Sequence, residues 1–214
     1  MKLMVGTRSP GKTREIRELF AGLPFQLWFP ADLHLERLPE EQDLERTLSY
    51  AENAAAKARY YATRAGLPAV ADDSGIEVDA LGGTPGPRSA RWSASGSDAD
   101  NNALLLEQLA GVPEARRSAR YRCVVAFLAT PSSVPEIVEA TVCARAATTP
   151  EDTAARGRAT TLLLAISVAL RAAGAAPAQP RRPGPPALVS PRLEMRPAEV
   201  SRDRTLADLR GAAQ

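Results

Sequence analysis

This sequence contains very little cysteine and histidine. Both residue types bind metals such as zinc, and cysteine also forms disulfides. Its 214 residues include two cysteines and one histidine. Cys123 and Cys143 lie in apolar segments without CxxC or metal-ligand spacing, which argues against a zinc site or a disulfide. We expect both to be buried, reduced thiols. His34 stands among polar residues and is expected in a loop, without a catalytic or ligand role.

Long apolar runs and a strong excess of one charge are also absent. No uninterrupted apolar stretch is long enough to span a membrane, and the first residues, MKLMVGTRSPGK, become polar too early for a signal peptide. The 27 basic and 25 acidic residues leave a net charge of only +2. This balance does not favour nucleic-acid binding. We therefore expect a soluble, cytoplasmic protein with neither a membrane nor a nucleic-acid partner.

Apolar strands alternate with helices through most of the chain. The segments typical of strands are KLMV, FQLWFP, PAVA, ARYRCVVAFLA and EIVEATVCARA. A long alanine-rich helix precedes PAVA and is closed by Gly66, and a further helix begins at Ser97 or Asp98. A short turn joins the last two strands, so they are expected to be antiparallel. The pattern predicts an α/β fold with a mixed β-sheet and flanking helices.

The composition changes after residue 147. Prolines cluster in the segment Pro177–Pro191, where they cannot join a compact α/β core. We predict one α/β domain over residues 1–147. The remainder, 148–214, is expected to be an aberrant, partly disordered segment without a domain of its own.

The segment Gly6–Thr13, GTRSPGKT, fits the phosphate-binding pattern G-x-x-x-x-G-K-[ST]. A predicted strand precedes it and a predicted helix follows it, as a P-loop requires. Lys12 and the helix N-terminus would then stabilise phosphate charge. The alternative interpretation is a glycine turn that carries a surface lysine.

Asp72 and Asp73 follow the predicted strand PAVA directly. The carboxyl ends of strands in open α/β sheets are where ligand sites gather, and carboxylate oxygens suit magnesium that carries phosphate. The alternative is that DDSG is only a turn with a helix cap. Together with GTRSPGKT, the pair favours nucleotide phosphate chemistry.

Four segments occur in the order expected of one known family: GTRSPGKTREI, YAENAAAKAR, LPAVADDSGIEVDALGGTPGPRSARW and DADNNALLLEQL. The chain resembles the inosine triphosphate pyrophosphatase family over roughly residues 1 to 147. The resemblance implies an elongated mixed sheet, two lobes around a central cleft, and a homodimer. It also implies Mg²⁺-dependent hydrolysis of noncanonical purine nucleoside triphosphates (ITP, dITP, XTP) to the monophosphate and pyrophosphate.

The resemblance also implies roles for individual residues. Asp73 matches the general base and a metal ligand of the family, and Glu40 with Glu41 matches its acidic metal-binding pair. Ser9 stands where the family has asparagine. The expected substrate-binding residues are Thr7, Arg8, Ser9, Pro10, Gly11, Lys12, Lys57 and Ser74.

The second half of the family pattern is missing from the written sequence, including the base-holding G-F-G-Y-D-P loop and S-H-R. A one-base shift of the codons for Gly157–Leu162, GRATTL, permits Ala-Gly-Tyr-Asp-Pro. The tail PAEVSRDRTLADLR also resembles the family's ending, with Ser201 and Arg202 adjacent. We therefore hypothesise a disturbed reading frame that is restored near Val200. The alternative is a genuinely diverged C-terminal half.

Two other functions stay open on the sequence. A P-loop nucleotidase would cut at the γ-phosphate, whereas the resembled family releases pyrophosphate. A catalytically impaired nucleotide-binding protein would keep the phosphate site without turnover.

Overall fold

The computed structural model describes residues 1–145, which form a five-stranded mixed sheet flanked by three α-helices. In chain order the elements are β1 (Lys2–Val5), α1 (Pro10–Leu19), β2 (Gln26–Trp28), α2 (Tyr50–Ala65), β3 (Ala69–Val78), α3 (Asp98–Gln108), β4 (Ser118–Leu128) and β5 (Glu136–Arg145). Four 3-10 helices lie in the connections of the described residues: Pro39–Asp43, Asp79–Leu81, Gly86–Arg91 and Glu114–Arg116. The predicted α/β class with a mixed sheet is confirmed.

The expectations for 148–214, including GRATTL and the Ser201–Arg202 pair, lie outside the described residues. Within residues 1–145, no helix combines the length and the apolar character needed to cross a membrane. Cys123 is buried and has a free thiol, as predicted. Cys143 falls in β5. His34 is exposed and lies in a turn between β2 and α2, also as predicted.

The strand order β2-β1-β3-β4-β5 combines a parallel and an antiparallel part. β1 is parallel to β2 and β3, whereas β4 is antiparallel to both of its neighbours, β3 and β5. β1 pairs with β3 only through Ala69 and Val70, and then turns away into α1. β3 continues to Val78 along β4. Beyond Val70, β1 therefore no longer pairs with this edge of β3.

The position of the two aspartates in their strand corrects the sequence interpretation. We expected the strand to end before Asp72, but β3 runs through both carboxylates. Asp72 lies opposite Val125, and Asp73 lies opposite Val124. The eleven-residue β4 provides an antiparallel partner for the whole of ADDSGIEV, so this stretch is not a turn. The carboxylates lie within β3, next to the end of β1.

Helix α2 packs closely against the sheet because its buried face consists mainly of alanines. Ala54, Ala58 and Ala62 are fully buried. The Ser49 side chain caps the helix by accepting a hydrogen bond from the backbone N–H of Glu52. Gly66 ends it in the left-handed conformation at φ 64°, as predicted. This close packing brings the polar side chains of the same helix face to β3.

Gly75 is required by the approach of a neighbouring segment. A Cβ at this position would overlap the carbonyl oxygen of Gly86 and come within 2.6 Å of Ser89 Oγ. Ser89 Oγ accepts the backbone N–H of Ile76 at 2.9 Å. The 3-10 helix Gly86–Arg91 thus packs directly on β3 and covers the far part of its free edge.

Candidate active site

A cleft of about 700 Å³ opens where β1 ends beside β3. Its walls come from the loop between β1 and α1, from α2 and β3, from the 3-10 helix Gly86–Arg91, and from the first turns of α3. The segments that form it are distant in the sequence, and the sheet brings them together. Most of the expected substrate-binding residues lie in this cleft: Thr7, Arg8, Ser9, Lys12, Lys57 and Ser74.

The loop that follows β1 is short and anchored at both ends. The Gly6 N–H donates to the Val70 carbonyl at 2.7 Å, which holds the start of the loop on the sheet. Ser9 Oγ accepts the N–H of Lys12 at 3.4 Å and so caps α1. Pro10 and Gly11 form the first turn of that helix. Ser9 and Lys12, at the start of α1, line the cleft, and a helix N-terminus carries a partial positive charge that favours an anion.

Asp72 and Ser74 share one face of β3, where Lys12 contacts both. Lys12 Nζ donates to Asp72 Oδ2 at 2.5 Å and lies 3.4 Å from Ser74 Oγ. Burial alone would lower the pKa of Lys12, but the adjacent Asp72 raises it well above its usual value. Burial would likewise raise the pKa of Asp72, and Lys12 lowers it. Lys12 is thus a permanent cation that lines the cleft.

Asp73 lies on the opposite face of β3, because successive side chains of a strand alternate. Its carboxylate accepts Asn53 Nδ2 at 2.9 Å and Lys57 Nζ at 3.4 Å, both from α2. Asp73 is only 5% exposed. Burial raises the pKa of Asp73 and the negative charges of Glu45 and Asp72 add to this, against the opposing effects of Lys57 and Asn53. A raised pKa makes this carboxylate a better proton acceptor.

Glu45 is a site residue that the sequence reasoning missed. Its Oε1 accepts Lys57 Nζ at 2.7 Å, so the same ammonium contacts Glu45 and Asp73. Arg91 forms a second ion pair with Glu45. Burial would raise the pKa of Glu45, but Lys57 and Arg91 lower it. One sequence feature could have indicated Glu45. It lies just before Ser49, which caps α2, the helix that carries Lys57.

The two glutamates expected to bind metal lie in different surroundings. Glu41 lines the cleft, but its carboxylate is engaged by two arginines and two tyrosines. Glu40 is exposed. In the part of the chain that the structure describes, no group of three or more His, Cys, Asp or Glu side chains is placed to hold a metal ion. The glutamate that shares Lys57 with Asp73 is Glu45.

A sequence model of the Ham1 family matches residues 3–157. This chain belongs to the Ham1 family. It is 47% identical over 129 residues to a dITP/XTP pyrophosphatase of Thioalkalivibrio sulfidiphilus, a match covering 60% of this chain and 63% of the relative. A dITP/XTP pyrophosphatase of Geobacter sulfurreducens is 47% identical over 128 residues, which cover 59% of this chain and 62% of the relative. The chain thus spans less than two thirds of the length of these relatives.

Solved structures agree with the fold described above. The HAM1 protein from Coxiella burnetii superimposes with a TM-score of 0.65 at 24% identity, covering 80% of this chain and 99% of that protein. A nucleoside-triphosphatase, dITP/XTP pyrophosphatase, from Mycobacterium abscessus gives a TM-score of 0.54 at 38% identity, covering 70% and 76% of the two chains. The first likeness establishes the fold alone.

Proposed function

We propose that this Ham1-family chain hydrolyses noncanonical purine nucleoside triphosphates, namely ITP, dITP and XTP, to the monophosphate and pyrophosphate. The observation that carries the proposal is the contact of Lys57 with both Asp73 and Glu45 beside a cleft lined by Lys12. This arrangement joins a buried proton acceptor to a cationic phosphate site. The names of the relatives support the substrate class.

The donor set around Lys57 fits a magnesium ion. Asp73 and Glu45 offer hard carboxylate oxygens, and their common contact with Lys57 Nζ shows that the two side chains lie close enough to share one cation. We propose that these two residues hold Mg²⁺, whereas the resemblance had suggested Glu40 and Glu41 with Asp73. When bound, the ion would neutralise charge on the triphosphate.

The protein's own side chains bind the phosphates, accept the proton and balance the charge. Lys12, Ser74 and the capped start of α1 bind phosphate oxygens, and Thr7 and Ser9 add hydroxyl groups at the same loop. Asp73 accepts the proton of the attacking water. Asn53 holds the Asp73 carboxylate through its amide at 2.9 Å, which fixes the direction of the basic oxygen. Lys57 balances the charge of both carboxylates.

The P-loop alternative has less support than the pyrophosphatase. Only Gly6–Ser9 separate β1 from α1, because the helix begins at Pro10. A four-residue connection leaves little backbone to wrap around phosphates, and Lys12 is directed to Asp72 at 2.5 Å.

We also propose, from the resemblance, that the protein acts as a cytoplasmic homodimer. Light scattering on the purified chain would test the dimer.

Initial rates on a set of triphosphates test the proposed substrate class. The full chain with Mg²⁺ is expected to hydrolyse ITP, dITP and XTP at least tenfold faster than ATP or GTP. Equal rates on all five would contradict the substrate class. Tight binding of ITP with no turnover would instead favour the impaired nucleotide-binding protein.

A further inference from the structure

Glu41 lies at the centre of a hydrogen-bond network that joins three parts of the chain. Its Oε1 accepts Arg8 Nη2 at 2.7 Å, Tyr60 OH at 3.1 Å and Arg64 Nη1 at 3.2 Å. Its Oε2 accepts Arg8 Nε at 2.6 Å and Tyr61 OH at 3.1 Å. The side chain is only 5% exposed. A carboxylate has about four lone-pair positions, and these donors occupy them.

The other partner, Arg8, is held through two nitrogens of its guanidinium group, Nε and Nη2. Besides Glu41, its Nη2 donates to the carbonyl oxygens of Leu35 and Glu36, each at 3.0 Å. These hydrogen bonds of Arg8 to residues 1–145 use Nε and Nη2, and none of them uses Nη1. Arg8 also lines the cleft, in the loop between β1 and α1. The guanidinium is therefore fixed in place through Nε and Nη2, and Nη1 is the nitrogen that these contacts to the described residues leave for a ligand.

We propose that Glu41 is a positioning residue, which holds Arg8 so that Nη1 of its guanidinium binds the phosphate chain of the substrate. The proposal rests on the proposed function for the identity of that substrate. Two arginines against one carboxylate leave a net positive charge beside the cleft, which favours an anion. Fixing the guanidinium in advance removes the entropy cost of ordering a long side chain on binding.

The same geometry separates this role from metal binding. A metal ion at Glu41 would have to displace Arg8, Arg64 or a tyrosine from a buried carboxylate. A bidentate ion pair of this kind is among the stronger polar contacts in proteins. If Glu41 acts through Arg8, its loss weakens phosphate binding in the absence of any metal. If Glu41 binds metal, that loss appears only when metal is present.

Isothermal titration of inorganic tripolyphosphate into the full chain, with EDTA present, tests the positioning role without requiring catalysis. We expect Glu41→Gln and Arg8→Ala each to weaken binding about tenfold. The double variant should bind no more weakly than Arg8→Ala alone, because in this proposal Glu41 acts through Arg8. Glu36→Gln is the matched control, since Glu36 contacts Arg8 only through its backbone carbonyl. Its affinity should equal that of the wild type.

Wild-type affinity in Glu41→Gln, or losses that multiply in the double variant, would overturn the proposal. Failure of the wild type to bind tripolyphosphate would overturn it as well. Tyr61→Phe covers the case in which Glu41→Gln does not fold, because it removes one hydrogen bond to Glu41 and keeps the ring. We expect it to weaken binding about threefold, and unchanged affinity would count against the proposal. If pyrophosphate release from ITP fails while these affinities behave as expected, only the proposed function is wrong.

Discussion

Lys57 Nζ lies between two carboxylates, 2.7 Å from Glu45 Oε1 and 3.4 Å from Asp73 Oδ1. Glu45 stands in the connection before α2 and Asp73 stands in β3, so the ammonium links two segments that meet only in the fold. The shared contact with Lys57 brings the two proposed metal ligands, Glu45 and Asp73, close to each other.

Replacing Glu45 tests the metal assignment. Glu45→Gln is expected to raise the Mg²⁺ concentration for half-maximal activity at least tenfold, because it removes one of two anionic ligands. Glu41→Gln should leave that concentration unchanged. Metal titrations of pyrophosphate release from ITP give both values, with the exposed Glu107→Gln as the control for loss of a carboxylate. The reverse ranking of Glu41 and Glu45 would restore the metal site implied by the resemblance.

Replacing Asp73 tests the general base. Asp73→Asn is nearly isosteric, so the fold should persist while kcat falls by about 10²-fold to 10⁴-fold, the usual contribution of a general base. Circular dichroism and steady-state kinetics on ITP measure the two effects. Asp79→Asn, an exposed aspartate just after the same strand, should keep wild-type kcat. Unchanged pyrophosphate release in Asp73→Asn would refute the role.

Gly75→Ala tests the packing of the 3-10 helix Gly86–Arg91 on β3. The added methyl group has no room beside the Gly86 carbonyl, so the free energy of unfolding should fall by about 1–3 kcal/mol. Urea unfolding followed by circular dichroism measures it. Gly11→Ala is the comparison, because a Cβ at that position in α1 would make only an ordinary contact, 3.9 Å from Ser9 Oγ, and alanine should stabilise the helix by about 0.5–1 kcal/mol. Equal stability of Gly75→Ala and the wild type would contradict the packing.

The Glu41 network predicts a dependence of stability on pH. Burial alone would raise the pKa of Glu41, but the hydrogen bonds from Arg8 and the two tyrosines lower it from 4.5 to about 2. Because the pKa of Glu41 is lower in the native state than in the unfolded chain, the ionised carboxylate stabilises the fold fully above pH 4.5. This stabilisation is lost as the pH falls from 4.5 toward 2. Urea unfolding of wild type and Glu41→Gln should show a gap of up to about 3 kcal/mol at pH 7, which shrinks toward pH 3. A gap independent of pH would exclude the ionised carboxylate as its cause.

The frame hypothesis makes a separate prediction about the nucleic acid. Resequencing the coding DNA from Glu139 onward should give a reading that encodes Gly-Tyr-Asp-Pro and Ser-His-Arg. The match to the Ham1 family ends at residue 157, where GRATTL begins. Mass spectrometry of C-terminal peptides that confirms the written chain would establish a diverged half, and catalysis should then be weak.

Local sequence patterns were sufficient to predict the helices and most of the strands. Gly66 marks the end of α2, and GTRSPGK marks the step from strand to helix, because these signals lie within a few residues of their effect. The length of β3 was not predictable in this way. It depends on β4, whose partner residues lie about fifty positions later, for example Val124 opposite Asp73.

The residues that lie together in the candidate site were predicted where a motif carried them and missed where only the fold brings them together. Lys12, Lys57, Asp73 and Ser74 follow from short motifs. Glu45 and the tyrosines around Glu41 carry no such signal, because charged residues in loops and aromatic residues in helices are common. Their roles come from contacts between the connection 39–45, α2 and β3.

The stoichiometry of the products of ITP hydrolysis tests the account most directly. The full chain with Mg²⁺ should release pyrophosphate and inosine monophosphate in equal amounts, and Asp73→Asn should release almost none. Release of orthophosphate and inosine diphosphate without pyrophosphate, or pyrophosphate release no faster than in Asp73→Asn, would contradict it.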